Sequence, residues 1–126
     1  MIVGMGTDIV ELIRIEATLT RQGDAFAKRI LDEREFLNYR NSKQSLQYLA
    51  KRFAIKEAAA KALGTGIGRG VSWQHMHTTN TEFGAPCLSF SGGAQARFLA
   101  LGGEHCHLSV SDERSYAVAH VILESG

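Results

Sequence analysis

The chain has 126 residues and a net charge of +1, from 14 basic and 13 acidic side chains. That length points to one domain spanning residues 1–126, and the near-neutral balance argues against general nucleic-acid binding, which brings a marked basic excess. Hydrophobic residues at 44% with a single proline read as an ordinary globular chain rather than a disordered one, and a chain this short buries only about two-thirds of its unfolded surface, so a partner subunit would help it.

Ile2 to Gly6 is a short apolar run with glycines and predicts a strand, with polar Thr7 and Asp8 directly beyond it. The segment is too polar for a membrane span, and it lacks the charged start and long apolar run of a signal peptide. Cys87 and Cys106 are the only cysteines and form no CxxC pair. A reducing, cytoplasmic setting is therefore expected, although sequence alone leaves a disulfide between them open.

Leu12, Ile13, Ile15, Ala17 and Leu19 predict a short helix over 11–20. Asp24 suits the N-cap of a second helix, in which Phe26, Ala27, Ile30, Leu31 and Phe36 recur at helical spacing. Asn38 to Ser45 is polar and reads as a connection. The clearest element is a helix from Ser45 to Leu63, rich in strong helix formers, with Gly64 placed to end it in the left-handed conformation.

From Gly70 onward the pattern changes. Val71 to Thr79 and Pro86 to Phe90 predict strands around a turn at Asn80 to Ala85. Gly93 to Leu101 predicts a short helix. His105 to Ser111 and Tyr116 to Glu124 predict a hairpin joined by Asp112 to Ser115. Helices early and strands late give an α+β fold, with helices packed on an antiparallel β-sheet.

Leu46, Ala50, Phe53, Glu57 and Lys61 lie on one side of the long helix. Glu57 therefore continues an apolar stripe, and a carboxylate there needs a cation or strong donor nearby. Lys61, one turn on, is placed to supply it. The glycine-rich run Gly64 to Gly70 has backbone able to point several N–H groups into one concavity for phosphate oxygens, although it lacks the Walker order. Asp8 is the second carboxylate. Two carboxylates, a lysine and a glycine loop suit Mg²⁺ bound against a reacting diphosphate.

Two motifs carry a family resemblance: Gly6-Thr7-Asp8-Ile9-Val10-Glu11, and the run from Arg52 through Phe53, Lys56, Glu57 and Lys61 to Gly64-Thr65-Gly66. With His107 to Asp112 and Tyr116-Ala117, the chain resembles the holo-acyl-carrier-protein synthases, the short type of 4′-phosphopantetheinyl transferase, over essentially its whole length. The resemblance implies the 4′-phosphopantetheinyl transferase fold. It also implies an Mg²⁺-dependent transfer of the phosphopantetheine arm of coenzyme A to a serine of apo-acyl carrier protein, in support of fatty acid biosynthesis.

By position, Asp8 and Glu57 resemble the family's magnesium ligands and Lys61 the lysine on the coenzyme phosphates. Gly64, Thr65 and Gly66 match the loop along the coenzyme, and His107 is expected to line the same pocket. Asp8, Glu57 and Lys61 form the implied catalytic set. For the serine proton, Glu57, a metal-bound water or a water held by Glu35 are the candidate acceptors. Arg14, Arg21 and Lys28 match basic positions that receive the acidic carrier protein. Family members are homotrimers with active sites shared between neighbours.

Some signals stand apart. His75 and His77, like His105 and His107, alternate on predicted strands, but no established zinc spacing joins them. Trp73 and Phe83 read as core or interface aromatics. Ala85 stands where the family commonly has lysine, which removes any charged contact from that turn. A non-catalytic module that binds a nucleotide or an acidic protein, and an Mg²⁺-dependent hydrolase of coenzyme A-like diphosphates, are the competing readings.

Overall fold

The computed structural model describes residues 1–126. In chain order it comprises β1 (Ile2–Glu11), α1 (Leu12–Gln22), α2 (Asp24–Ile30), α3 (Glu33–Asn41) and α4 (Ser45–Leu63). A 3₁₀ turn (Trp73–His75), β2 (Met76–Asn80), β3 (Pro86–Phe90), α5 (Gly92–Ala100), β4 (His105–Asp112) and β5 (Tyr116–Glu124) follow. β1, β5 and β4 form an antiparallel sheet in that order, and β2 and β3 form a separate hairpin.

α4 is the centre of the molecule. Alanines 50, 54, 58, 59, 60 and 62 are buried along with Leu49, Ile55 and Leu63, so the helix is enclosed on most of its circumference rather than along one stripe. Small side chains let neighbours approach closely, and the sheet answers in kind with buried Ala117 and Ala119 on β5. The strand glycines explain themselves here. A Cβ on Gly4 would lie 2.2 Å from the Ala62 carbonyl oxygen, and one on Gly6 would lie 2.0 Å from that of Ala58. Only glycine lets β1 run against α4 at this distance.

Several boundaries differ from the sequence expectation. β1 does not stop at Gly6 but continues to Glu11, because Gly6 to Glu11 pair in unbroken register with Val121 to Tyr116. Asp8 is thus within a strand, not beyond one. The helix expected from Asp24 through Phe36 is two helices, parted at Leu31 and Asp32. Asp32 caps α3 in a reciprocal capping box with Glu35. Asp24 does not cap α2. Its N-cap is Gly23, and the Asp24 carboxylate pairs instead with Arg40 at 3.0 Å. Gly64 adopts the left-handed conformation expected of it, with φ 78°. β2 is shorter than expected because Ser72 caps the 3₁₀ turn, which also separates His75 from the strand that carries His77.

Candidate active site

Residue alternation along β1 places Asp8 on the same face as Gly6 and Val10, toward α4. The close approach at Gly6 then brings Asp8 beside the helix. Lys61 Nζ donates to Asp8 Oδ1 and to the Thr7 carbonyl, both at 3.0 Å. The cation of Lys61 therefore bonds Asp8 directly, while its charge also acts on Glu57 as the helical spacing suggested. Glu57, one turn before Lys61, lines the same cleft as Asp8, together with Glu11, Arg14, Phe53 and Tyr116. The cleft encloses about 450 Å³.

The electrostatics are those of two carboxylates held together. Burial pushes the Glu57 carboxyl above its ordinary value, and the nearby Asp8 charge pushes it further, while Lys61 opposes both without cancelling them. A divalent cation is the group whose charge would relieve that conflict, and two carboxylates beside an open cleft match what Mg²⁺ takes.

The glycine loop is arranged differently from the phosphate cradle read from sequence. Gly64 N–H donates to the Lys61 carbonyl, and the Thr65 and Gly66 N–H groups donate to that of Ala60. These three donors close the end of α4 and are spent there. His107 lies apart from the cleft. It sits on β4, separated from β1 by β5, on the exposed side of the sheet, where it pairs with Glu124 at 2.9 Å. Arg14 and Arg21 are exposed on α1, which runs unbroken to Gln22 before Gly23 ends it. Arg14 borders the cleft and pairs with Glu11. Lys28 is on α2, 5.4 Å above the Phe36 ring.

Glu35 is not in the cleft. It is fully buried, and both its oxygens are engaged: Oε1 accepts from Lys56 Nζ at 2.8 Å and from the Asp32 N–H, and Oε2 accepts from Thr78 Oγ1 at 2.6 Å. Trp73 packs on Phe53 within the interior, as expected, but Phe83 stands 94% exposed at the β2–β3 turn and serves no core. Both cysteines are free, and burial pushes the Cys106 thiol up to about 12.

Sequence reasoning missed a second polar cleft. Tyr48, Lys51 and Arg52 from α4 meet Asn80, Gly84 and Pro86 of the hairpin and Val110 and Asp112 of β4. The Tyr48 hydroxyl and Arg52 Nε are buried there without a hydrogen-bond partner. Arg52, Val110 and Asp112 lay within recognised stretches, but nothing in their spacing revealed that tertiary folding brings them together.

Comparison with known proteins agrees with this architecture. A profile of the 4′-phosphopantetheinyl transferase superfamily matches residues 4–121. A holo-[acyl-carrier-protein] synthase of Shewanella oneidensis is 61% identical over 98% of both chains. Among solved structures, the synthase of Neisseria meningitidis superposes with a TM-score of 0.93 at 40% identity, covering 99% of this chain and 100% of its own. That of Bacillus anthracis, solved in complex with CoA (3′,5′-ADP), gives 0.84 at 41% identity, covering 100% and 99%. With a shared fold and near-complete coverage at this identity, the chain belongs to the 4′-phosphopantetheinyl transferase superfamily and, within it, to the holo-acyl-carrier-protein synthases.

Proposed function

We propose that this chain moves the phosphopantetheine arm of coenzyme A to a serine of apo-acyl carrier protein in an Mg²⁺-dependent reaction held by Asp8, Glu57 and Lys61. The observation that carries the reading is the convergence of Asp8 and Glu57 in one cleft, with Lys61 paired to Asp8 beside it. Asp8 and Glu57 would hold the metal, and their unrelieved mutual repulsion fits that role. When bound, Mg²⁺ supplies positive charge against the diphosphate as it departs.

The serine hydroxyl attacks the β-phosphorus of coenzyme A, and the bond to the departing adenosine 3′,5′-bisphosphate breaks. Lys61, half exposed and tethered to Asp8, is positioned to share the diphosphate charge. Glu57, or a water on the bound metal, is the candidate within the cleft for accepting the serine proton; Glu35 is buried outside that cleft. Gly64 to Gly66 contribute a close-lying backbone surface rather than free N–H donors. The Tyr48 hydroxyl, buried without a partner, with Lys51 and the Arg52 guanidinium beside it, suits a further phosphate of the coenzyme.

Arg14 beside the cleft and Arg21 along the same helix form the docking strip for the acidic carrier protein, with Lys28 on the next helix. The assembly in this reading is a homotrimer with active sites between subunits, an arrangement that would let a neighbour's His107 reach a pocket remote from it within one chain. The setting is cytoplasmic and the role is supply of holo-carrier protein for fatty acid synthesis. The decisive test is mass spectrometry of apo-acyl carrier protein after incubation with the enzyme and coenzyme A. A phosphopantetheine gain on serine is expected with Mg²⁺ and is expected to vanish with EDTA. Undiminished transfer in EDTA would remove the metal from the reading.

A further inference from the structure

Away from the transfer cleft, three elements bring together side chains that the reaction above does not use. Asp32 ends the α2–α3 link, His77 is on β2, and Ser91 precedes α5. His77 Nδ1 lies 2.9 Å from Asp32 Oδ2, and His77 Nε2 lies 2.8 Å from Ser91 Oγ. None of the three lines the cleft of Asp8 and Glu57.

We propose that Ser91, His77 and Asp32 form a second site, a serine nucleophile that takes the acyl group of small activated esters.

The Asp32 carboxylate has one oxygen committed to the Glu35 N–H, which fixes the group and leaves the other for the imidazole. An acceptor on Nδ1 keeps the ring proton there and leaves Nε2 bare to receive the serine proton. Burial pushes the Asp32 carboxyl up, but the Glu35 N–H, the His77 ring and the Lys56 and Arg34 charges together hold it below its ordinary value, so it stays ionised. Ser91 occupies the N-cap of α5, where a serine ordinarily bonds a backbone N–H of the first turn. Its side chain makes no such bond and is turned to His77 instead. The first-turn N–H groups of Gly92 and Gly93 have no partner within the helix, and they sit next to the nucleophile, where an oxyanion would form. Gly92, at φ 54°, has the His75 ring where a Cβ would lie, 2.7 Å away. That contact holds the start of α5 close to the histidine segment. Ser91 is exposed, which suits small or surface-presented esters rather than long acyl chains.

In the step, Ser91 Oγ bonds the ester carbonyl carbon as its proton passes to His77 Nε2. The bond to the leaving alcohol or thiol then breaks, and His77 returns the proton to that group. Water, deprotonated by His77, attacks the acyl-serine; the carboxylic acid leaves and Ser91 regains its proton.

The test treats the full-length protein with a fluorophosphonate, followed by peptide mapping, and measures p-nitrophenyl acetate hydrolysis. One adduct at Ser91 is expected, and Ser91→Ala removes both the adduct and the hydrolysis. His77→Gln slows both by about a hundredfold, while carrier-protein modification persists in both variants and reports an intact fold. Asp32→Asn, which still caps α3, lowers kcat for the ester with KM unchanged, as expected of a positioning residue. Absence of an adduct at Ser91, or labelling there that His77→Gln leaves unchanged, overturns the proposal.

Discussion

Glu57 sits where its charge is unwelcome, and that has a consequence for stability. In the folded chain it holds its proton more tightly than the ordinary value of 4.5 allows, first through burial and then through Asp8. A group with a raised folded pKa contributes stability that is fully present below 4.5 and is lost as pH rises through the folded value. Glu57→Gln is therefore expected to abolish transfer yet raise the urea midpoint at pH 7. The gain is on the order of half a kcal/mol, since solvent reaches the partly exposed carboxyl. At pH 4 the difference between the two proteins should close. A variant no more stable than the parent at pH 7 would mean that Asp8 and Glu57 do not strain one another. That Asp8 and Glu57 are the candidate pair was legible in the sequence. The partner of Lys61 was not, because i,i+4 spacing shows only neighbours on one helix.

At the level of elements, Lys56 is the stitch that joins four of them. Its ammonium, fully buried on α4, donates to the Ile30 carbonyl of α2 at 2.6 Å, the Trp73 carbonyl of the 3₁₀ turn and Glu35 of α3. Glu35 in turn accepts from Thr78 of β2. Burial lowers the Lys56 pKa, with Glu35 opposing that shift. Lys56→Met removes the closer of two cations on the buried Glu35, leaving Arg52 Nε at 3.5 Å, and is expected to cost about 3 kcal/mol in urea denaturation. The double variant Lys56→Met with Glu35→Leu should recover much of this. Equal destabilisation in both would show that lost packing, not an under-compensated charge, sets the cost. In sequence Lys56 was one letter of a family motif. Its burial follows from an alanine-rich helix enclosed on nearly all sides, which no single-stripe reading anticipates.

At the scale of the molecule, the outer face of the sheet stands open. Met5 and Ile9 of β1 are 67% and 64% exposed, and Ile13 of α1 and Tyr116 of β5 extend the same apolar surface. A face of this kind marks an interaction site, which the proposed homotrimer would use. Ile9→Asp is expected to shift the mass seen by light scattering from trimer to monomer and to reduce transfer with it. An unchanged mass would place the interface elsewhere. The long helix with its glycine end and the α+β class follow from local order in the chain: helix propensity, a left-handed cap and a strand–helix alternation of pattern all act over a few residues. The full length of β1, the division of α2 from α3, the Asp8–Lys61 pair and the meeting of Asp32, His77 and Ser91 were decided only by tertiary structure. Each depends on hydrogen bonds and close packing between segments tens of residues apart, and one-dimensional spacing carries no record of which of those segments touch.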